Sequence, residues 1–506
     1  MNQTKTIVII GAGISGLTAG IYAEQHGFHA ILLEKNPSVG GMCTGWYRKG
    51  FYVDGCVHWL TGTKEGTLLN EMWRNIGAFN QEDILYLPSW GSFEYQGKTI
   101  TFWRDLDRAQ REWIEASPVD EKMIKKFFKM VRDFTTVELP LDLPLSMIPL
   151  NRKIKLGLKV LNVWPSYLKT MFMSRAKFAS KFKSPAIRKA LIDVQTGGGN
   201  LFSMIYSYST VVIGDGGIPK GASKPMVERM KEKFLSLGGT LKLNANVDTI
   251  LIKDKKATGV KLTNGNVIKG DYVVSCLDTH YTLKKLLRDQ YPFPSFEKRF
   301  KDPIRNPSPS CILINYAIKK DNGLPTPYAF ECEPFKVGGH IIDHLGIRSY
   351  AYDETFTRGD KTVLSVLIDQ SNADYPFFKK LAENKEKYNA YKSWVADEVK
   401  KRIIKKIPSL EDSIELLDVA TPYTFKRYVN TSNGVFMSFF FTHRDPMFAH
   451  HGQLKGLKNF YLSGQWMQGP GGLPIAMTQG KFAIQRICKR ENLSYIFSPI
   501  PSKKKA

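Results

Sequence analysis

At 506 residues the chain can bury one large core or two coupled ones, and its apolar content is that of an ordinary soluble protein. No run approaches the ~18 to 20 apolar residues that cross a bilayer, which excludes a spanning helix. The formal net charge of +25 implies an anionic partner, whether nucleic acid, acidic substrate or membrane surface.

The first strand begins at Thr6, which leaves no room for a cleaved leader and predicts a cytoplasmic protein. Residues 6–10 are all β-branched and uncharged, as expected of a strand buried on both faces. Gly11-Ala12-Gly13-Ile14-Ser15-Gly16 follows, residues 17–27 have a helical pattern, and Ala30-Ile31-Leu32-Leu33 leads into Glu34. Strand, glycine turn, helix, strand and acid in this order predict a dinucleotide-binding βαβ unit. Gly11 permits the tight turn, Gly13 lets the backbone approach a pyrophosphate, and Gly16 lets helix and strand pack closely. The helix N-terminus offers unpaired N–H groups and a partial positive charge to the phosphates. Glu34, 18 residues beyond Gly16, can accept hydrogen bonds from a ribose diol. The nucleotide is adenine-based, with NAD and FAD both open at this point.

Gly40-Gly41 can form a second turn beside the cofactor, and Phe51-Tyr52-Val53-Asp54-Gly55 and His58-Trp59 come next. Short strand-like runs such as Ser92-Phe93-Glu94-Tyr95 precede a helix over 121–134, with Met123, Phe127, Phe128 and Val131 at helical spacing. Residues 143–192 then hold eleven Lys or Arg and no acid. Ile154, Leu158 and Leu161 recur at i, i+4 and i+7 beside Lys153, Lys155 and Lys159; Trp164, Phe172 and Phe178 follow. Pro165 is expected to split this block into two helices. Basic residues among aromatic and aliphatic neighbours suit helices lying in the headgroup layer of an anionic membrane. An amphipathic pair covering the substrate domain, its charges merely solvated, is the plainer alternative.

Gly216-Gly217-Ile218-Pro219 leads into a helix over 223–237 stopped by Gly238-Gly239. Residues 240–243, 247–252 and 271–276 read as strands, and Asn264-Gly265 marks a hairpin over 261–268. Two more strands are expected at 311–318 and 363–368, and an amphipathic helix at 391–404. The C-terminal part holds Thr421-Pro422-Tyr423-Thr424-Phe425 with Arg427, then a strand ending Ser463-Gly464. The turn Gly469-Pro470-Gly471-Gly472-Leu473-Pro474 and a helix over 475–490 follow. Small residues delivered to a helix N-terminus again suit phosphate or flavin. The six cysteines are scattered with no C-x-x-C pair, and His450-His451 lacks partners at ligand spacing, so reduced thiols and no metal site are expected.

The acid followed by Gly40-Gly41, the Phe51-x-x-Asp54-Gly55-x-x-His58 segment, Thr421-Pro422-x-Thr424-Phe425 and the C-terminal glycine turn together resemble a known family. It is the group of FAD-containing phytoene desaturases, carotenoid isomerases and retinol saturases, within the wider amine-oxidase-like flavoproteins. The resemblance implies FAD contacts from Gly11, Gly13, Ile14, Ser15, Gly16, Glu34 and Lys35. It adds Gly40, Gly41, Met42 and Val247, and at the C-terminus Gly464, Gln465, Gly472, Leu473 and Pro474. Many relatives have a basic or small residue where this chain has Met42, and an acid where it has Gln465.

The implied architecture is α/β: a Rossmann-like FAD-binding domain of parallel sheet and helices, plus an α+β substrate domain with a helical, basic, membrane-facing part. The FAD domain is expected to comprise 1–95, 214–290 and 411–506, and the substrate domain 96–213 and 291–410. The resemblance implies an FAD-dependent oxidoreductase acting on carbon–carbon bonds of an apolar polyene, carotenoid- or retinoid-like, by desaturation, saturation or flavin-assisted isomerisation. Such chemistry needs little acid–base machinery, in keeping with a sequence that offers no triad or paired carboxylates. His58 and, more weakly, Arg427 are the candidate polar residues near the reacting carbons. An amine oxidase, or a non-catalytic flavin- and lipid-binding protein at a membrane, are the alternatives. No nucleic-acid module is found, and the electron donor or acceptor stays open.

Overall fold

A computed structural model describes residues 4–137, 140–159, 163–195, 199–445 and 448–495, with the Lys159 side chain excepted. Its first sheet has five parallel strands in the order Thr240–Lys242, His29–Leu33, Thr6–Ile10, Tyr272–Ser275, Phe460–Leu462. The central strand alternates its side chains between two cores: Ile7 and Ile9 join one, Val8 and Ile10 the other, and all four are buried. That is the period-two consequence of β-branched residues on both faces. Helices Ile14–Gln25, Ser223–Ser236 and Leu473–Arg490 stack on one face. They pack closely enough that a Cβ on Gly480 would lie 2.4 Å from the Ser15 carbonyl oxygen. On the other face lie Val247–Lys253, Lys256–Leu262 and Val267–Lys269, an antiparallel sheet whose last two strands turn at Asn264-Gly265.

The second sheet has eight strands, seven of them in the path Glu415–Ala420, Pro309–Lys319, Lys361–Ser371, His340–Ser349, Tyr328–Val337, Ser89–Tyr95, Lys98–Trp103. Helix Lys385–Lys406 covers one side through Val395, Ala396, Val399 and Ile403. Helices Leu106–Ala116, Glu121–Phe134, Pro185–Asp193 and Leu201–Val212 bury an aromatic core at the edge formed by residues 89–103. The boundaries expected at 95 and 411 need correcting at the strand level. Ser89–Tyr95 pairs in parallel with Tyr328–Val337, and Glu415–Ala420 pairs with Pro309–Lys319, so by hydrogen bonding both belong to the second sheet.

Among the described residues the basic block forms four short helices rather than two: Leu150–Lys159, Trp164–Met171, Arg175–Ala179 and Pro185–Asp193. Pro165 sits in the first turn of the second, where its missing N–H costs nothing. The further breaks come from serine caps, Ser174 Oγ accepting from Lys177 N–H and Ser184 Oγ from Ile187 N–H. Leu161 lies outside the described residues. Among the described residues no helix is long and apolar enough to cross a membrane.

Candidate cofactor and substrate site

The strand Thr6–Ile10 ends at Gly11, whose φ of +95° makes the turn that a side chain would strain. Helix Ile14–Gln25 then starts with Gly13 as its N-cap, and no side chain caps it. Its first N–H groups are therefore left to a ligand or solvent. A Cβ on Gly13 would meet nothing closer than the Gly40 carbonyl oxygen at 3.6 Å, so no protein atom fills the space before it. Gly16 is the opposite case: its Cβ would come 1.8 Å from the Gly11 carbonyl oxygen. Gly40 N–H donates to the Ala12 carbonyl at 2.8 Å, holding the second glycine turn against the first.

Glu34 is buried, and its carboxylate accepts from Ala12 N–H at 3.0 Å and from Asn36 N–H at 2.9 Å. These bonds fix it at the strand end with lone pairs to spare for a diol. Ala245, Asn246 and Val247 lie beside it, and Ala245 N–H donates to the Glu34 carbonyl at 2.8 Å. Lys35 reaches the Arg427 carbonyl at 3.3 Å.

The C-terminal glycines close the same space. Ser15 Oγ and Ser463 Oγ are 2.9 Å apart, which ties the first helix to the strand that delivers Gly464. The Gln465 amide accepts from Gly472 N–H at 3.0 Å and donates to the Phe436 carbonyl at 3.1 Å. It thus spans the loop that sets Gly472 as N-cap of helix Leu473–Arg490, with Pro474 in the first turn. Two uncapped helix N-termini therefore face one cavity, an arrangement that suits the two phosphates of FAD.

That cavity is about 510 Å³. Its wall includes Gly11, Gly13, Ile14, Ser15, Glu34, Lys35, Gly40, Gly41, Met42, Val247, Gly464, Gln465, Gly472, Leu473 and Pro474, and also His58. Gly16 stands behind the wall, where it packs helix on strand. Arg427, expected near the mouth, is exposed on helix Pro422–Val429 and outside the lining.

His58 is held in place by a buried carboxylate four residues earlier. Asp54 accepts from the N–H groups of Cys56, Val57 and Ser223, from Ser223 Oγ and from the Tyr52 hydroxyl, so the 54–57 turn is locked to the helix that starts at Ser223. Burial, with the Arg348 guanidinium nearby, pushes the His58 imidazole down to about 3, so it is neutral at physiological pH and can orient or exclude but not act as an acid. Burial likewise pushes the Cys276 thiol in the wall up to about 12, leaving it protonated and inert.

The far end of the cavity is lined by Trp59, Tyr167, Met171, Gln195, Phe202 and Tyr206. Tyr167 stacks on Trp164 at 5.6 Å and meets Phe202 edge-on at 5.4 Å, while Phe202 stacks on Tyr206 at 5.9 Å. An aromatic column thus runs from Trp164, 45% exposed, to the cavity wall. Tyr167, Met171, Phe202 and Tyr206 are not singled out by sequence pattern, because helices Trp164–Met171 and Leu201–Val212 meet only in the folded chain; Trp59, beside His58, and Trp164 are the local signals. Among the described lining residues the carboxylates are Glu34 and Asp278, and both are bound by backbone N–H groups at the nucleotide end. No group of three or more metal-ligating side chains is found among the described residues.

A family model described as flavin-containing amine oxidoreductase matches residues 14–488. The chain is 28% identical over 294 residues to the phytoene desaturase (lycopene-forming) of a Paracoccus strain, 56% of each chain. It therefore spans just over half the length of that relative. It is 26% identical over 454 residues to prolycopene isomerase 2 of an Oncidium hybrid, covering 85% of this chain and 74% of that one. With 4,4'-diapophytoene desaturase of Methylomonas it is 21% identical, covering 98% and 97%. Among solved structures, putrescine oxidase bound to putrescine aligns with a TM-score of 0.58 at 14% identity, over 96% of this chain and 99% of that one. An oxidoreductase from Methanosarcina mazei aligns at 0.56 and 15% identity, over 95% and 100%. At such identities these structures speak for the fold alone.

Proposed function

The chain belongs to the flavin-containing amine oxidoreductase family, with FAD as its cofactor, and from that premise we propose that it acts on carbon–carbon double bonds of an apolar polyene or isoprenoid lipid. Two relatives are named for phytoene desaturation and prolycopene isomerisation, and both names denote polyene chemistry. The observation that carries the reading is the far end of the cavity: an aromatic and aliphatic wall with neutral polar groups and no carboxylate among its described residues. An amine site is expected to pair an aromatic cage with a carboxylate to hold the ammonium, and the carboxylate has no counterpart among the described residues of that end. Bound FAD supplies the hydride donor or acceptor. The chain holds substrate carbons between Trp59, Phe202 and Tyr206, excludes water, and keeps His58 as a neutral imidazole beside the reacting end.

Substrate of this kind is drawn from a bilayer, and the basic block serves as the docking face. Leu150, Ile154, Leu158, Trp164, Leu168 and Phe172 are each between 40% and 74% exposed, interleaved with Lys153, Lys155 and Lys169. Lys169 is held below its ordinary pKa by the Lys126 ammonium against it, by burial and by Lys181, a crowding of cations that an anionic surface relieves. Tyr167 and Met171, on the same helix as Trp164, then connect that face to the cavity.

The test is anaerobic mixing of the purified holoprotein, with flavin oxidised and then reduced, against a carotenoid, a retinoid and simple amines. A flavin spectral change or product with a polyene is expected. Rapid flavin reduction by amines, with the polyenes inert, overturns the reading in favour of an amine oxidase.

A further inference from the structure

A second cavity, about 300 Å³, opens at the edge of the basic block. Arg175, Arg305 and Arg444 contribute its charge, His443 adds an imidazole, and Ile192 and Ile304 form its aliphatic surface. Arg175 is a structural wall: it is 3% exposed, its Nη1 donates to the Gln195 carbonyl at 2.7 Å, and Asp369 and Asp193 offset part of its charge. Arg305, His443 and Arg444 are exposed, and among the described residues none of their side chains has a carboxylate within 4.0 Å; the Asp302 carboxylate accepts from the Arg305 backbone N–H at 2.9 Å. Asp445, next in sequence to Arg444, is taken by Arg299 at 2.9 Å.

The rim is the second observation. Ile192 is 43% exposed and Ile304 88%, and Phe172, just before this wall in the chain, is 60% exposed. Water favours the cations but not this aliphatic frame. A free phosphate would match only the cations, and a bare hydrocarbon only the rim. A phosphate carried on acyl chains matches both, because charge-assisted bonds to its oxygens and burial of the rim are made together.

We propose that this cavity takes the phosphate headgroup of a membrane phospholipid, with Arg305, His443 and Arg444 on the phosphate oxygens and Ile192 and Ile304 entering the acyl boundary. The inference rests on the docking reading and deepens it, since one lipid bound in a pocket fixes how the protein sits on the surface.

The experiment is sedimentation of the full-length holoprotein with phosphatidylcholine vesicles carrying either phosphatidic acid or oleate, matched in surface charge. The parent should bind the phosphatidic acid vesicles more tightly. Removing two cations in R305A/R444A, each worth about fivefold near an anionic surface, should lower that binding ~25-fold and abolish the preference. K153A/K155A should lower binding to both vesicle types alike. Equal binding of both vesicle types by the parent, or an unchanged preference in R305A/R444A, overturns the pocket while leaving docking in place. A parent that sediments with neither overturns the docking reading, and the pocket with it. Inorganic phosphate competing as well as dihexanoyl phosphatidic acid would make this a free-phosphate site and overturn the lipid assignment.

Discussion

At the sheet end of the main cavity Glu34 accepts two backbone N–H groups and Gln465 spans two backbone groups of its loop, whereas at the helical end Trp164, Leu168 and Phe172 face solvent and Lys169 crowds against Lys126. The first end is preorganised. Its glycines leave space where a ligand's phosphates belong, and its polar side chains are already positioned by backbone bonds, so binding there costs little reorganisation. The second end carries exposed apolar surface that is costly in water, set among crowded cations, the combination on which the docking proposal rests. One cavity joins them, and a substrate could thus pass from an adaptable entrance to a fixed reaction site.

The sharpest way to break the contrast is at the rigid end. Gly13 has extended backbone, φ −76° and ψ −175°, which valine adopts without strain, and the nearest protein atom to an added Cβ is 3.6 Å away. Gly13→Val should therefore fold with a melting temperature close to that of the parent apoprotein. The side chain would occupy the pyrophosphate's place, an overlap worth about 3 kcal/mol, so FAD affinity should fall on the order of 100-fold. Flavin absorbance after gel filtration reads the loss. A Gly13→Val protein that stays yellow would move the pyrophosphate away from this turn.

The two ends were also unequally legible in the sequence. The βαβ unit over 6–34 could be read because its turn chemistry and hydrophobic period are local, and Asn264-Gly265 fixed its hairpin for the same reason. The pairing of Ser89–Tyr95 with Tyr328–Val337 has no local signal: more than two hundred residues separate the strands, and parallel pairing needs no turn motif. Tyr167 reaches the cavity from helix Trp164–Met171, and Phe202 and Tyr206 from helix Leu201–Val212, so the convergence of the two helices is tertiary. Gln465 could be read as a cofactor contact from its place in the motif, but its two bonds across the loop depend on where Phe436 comes to lie.

His58 stands between the two ends and reports on the acidity the fold tolerates. Its folded pKa of about 3 lies below the ordinary 6.5, so the folded state prefers the neutral ring. The associated stability is fully present above pH 6.5 and is lost as pH falls from there toward 3, because the unfolded chain takes up the proton first. The residue is partly open to the cavity, which reduces the effect to about 2 kcal/mol. Denaturant unfolding of the parent and of His58→Gln should show converging stabilities as pH is lowered across that window, beyond any constant offset from lost packing. Parallel curves would mean that the ring is freely protonated and does not sit in the dry wall described.

Ile154 gives the smallest effect and tests the adaptable end alone. It is 57% exposed on helix Leu150–Lys159, so in water its replacement by serine removes little packing, and stability should stay within about 0.5 kcal/mol of the parent. On a bilayer the same side chain enters the headgroup boundary. Full burial of an isoleucine is worth about 1.5–3 kcal/mol, and about half of that surface is free to be buried, which leaves about 1 kcal/mol or fivefold in vesicle partitioning. Ile154→Ser should therefore melt like the parent and bind anionic vesicles about fivefold more weakly. If instead these helices only cover the substrate domain, with their charges solvated, Ile154→Ser leaves partitioning unchanged, because the exposed face then has no apolar partner to lose.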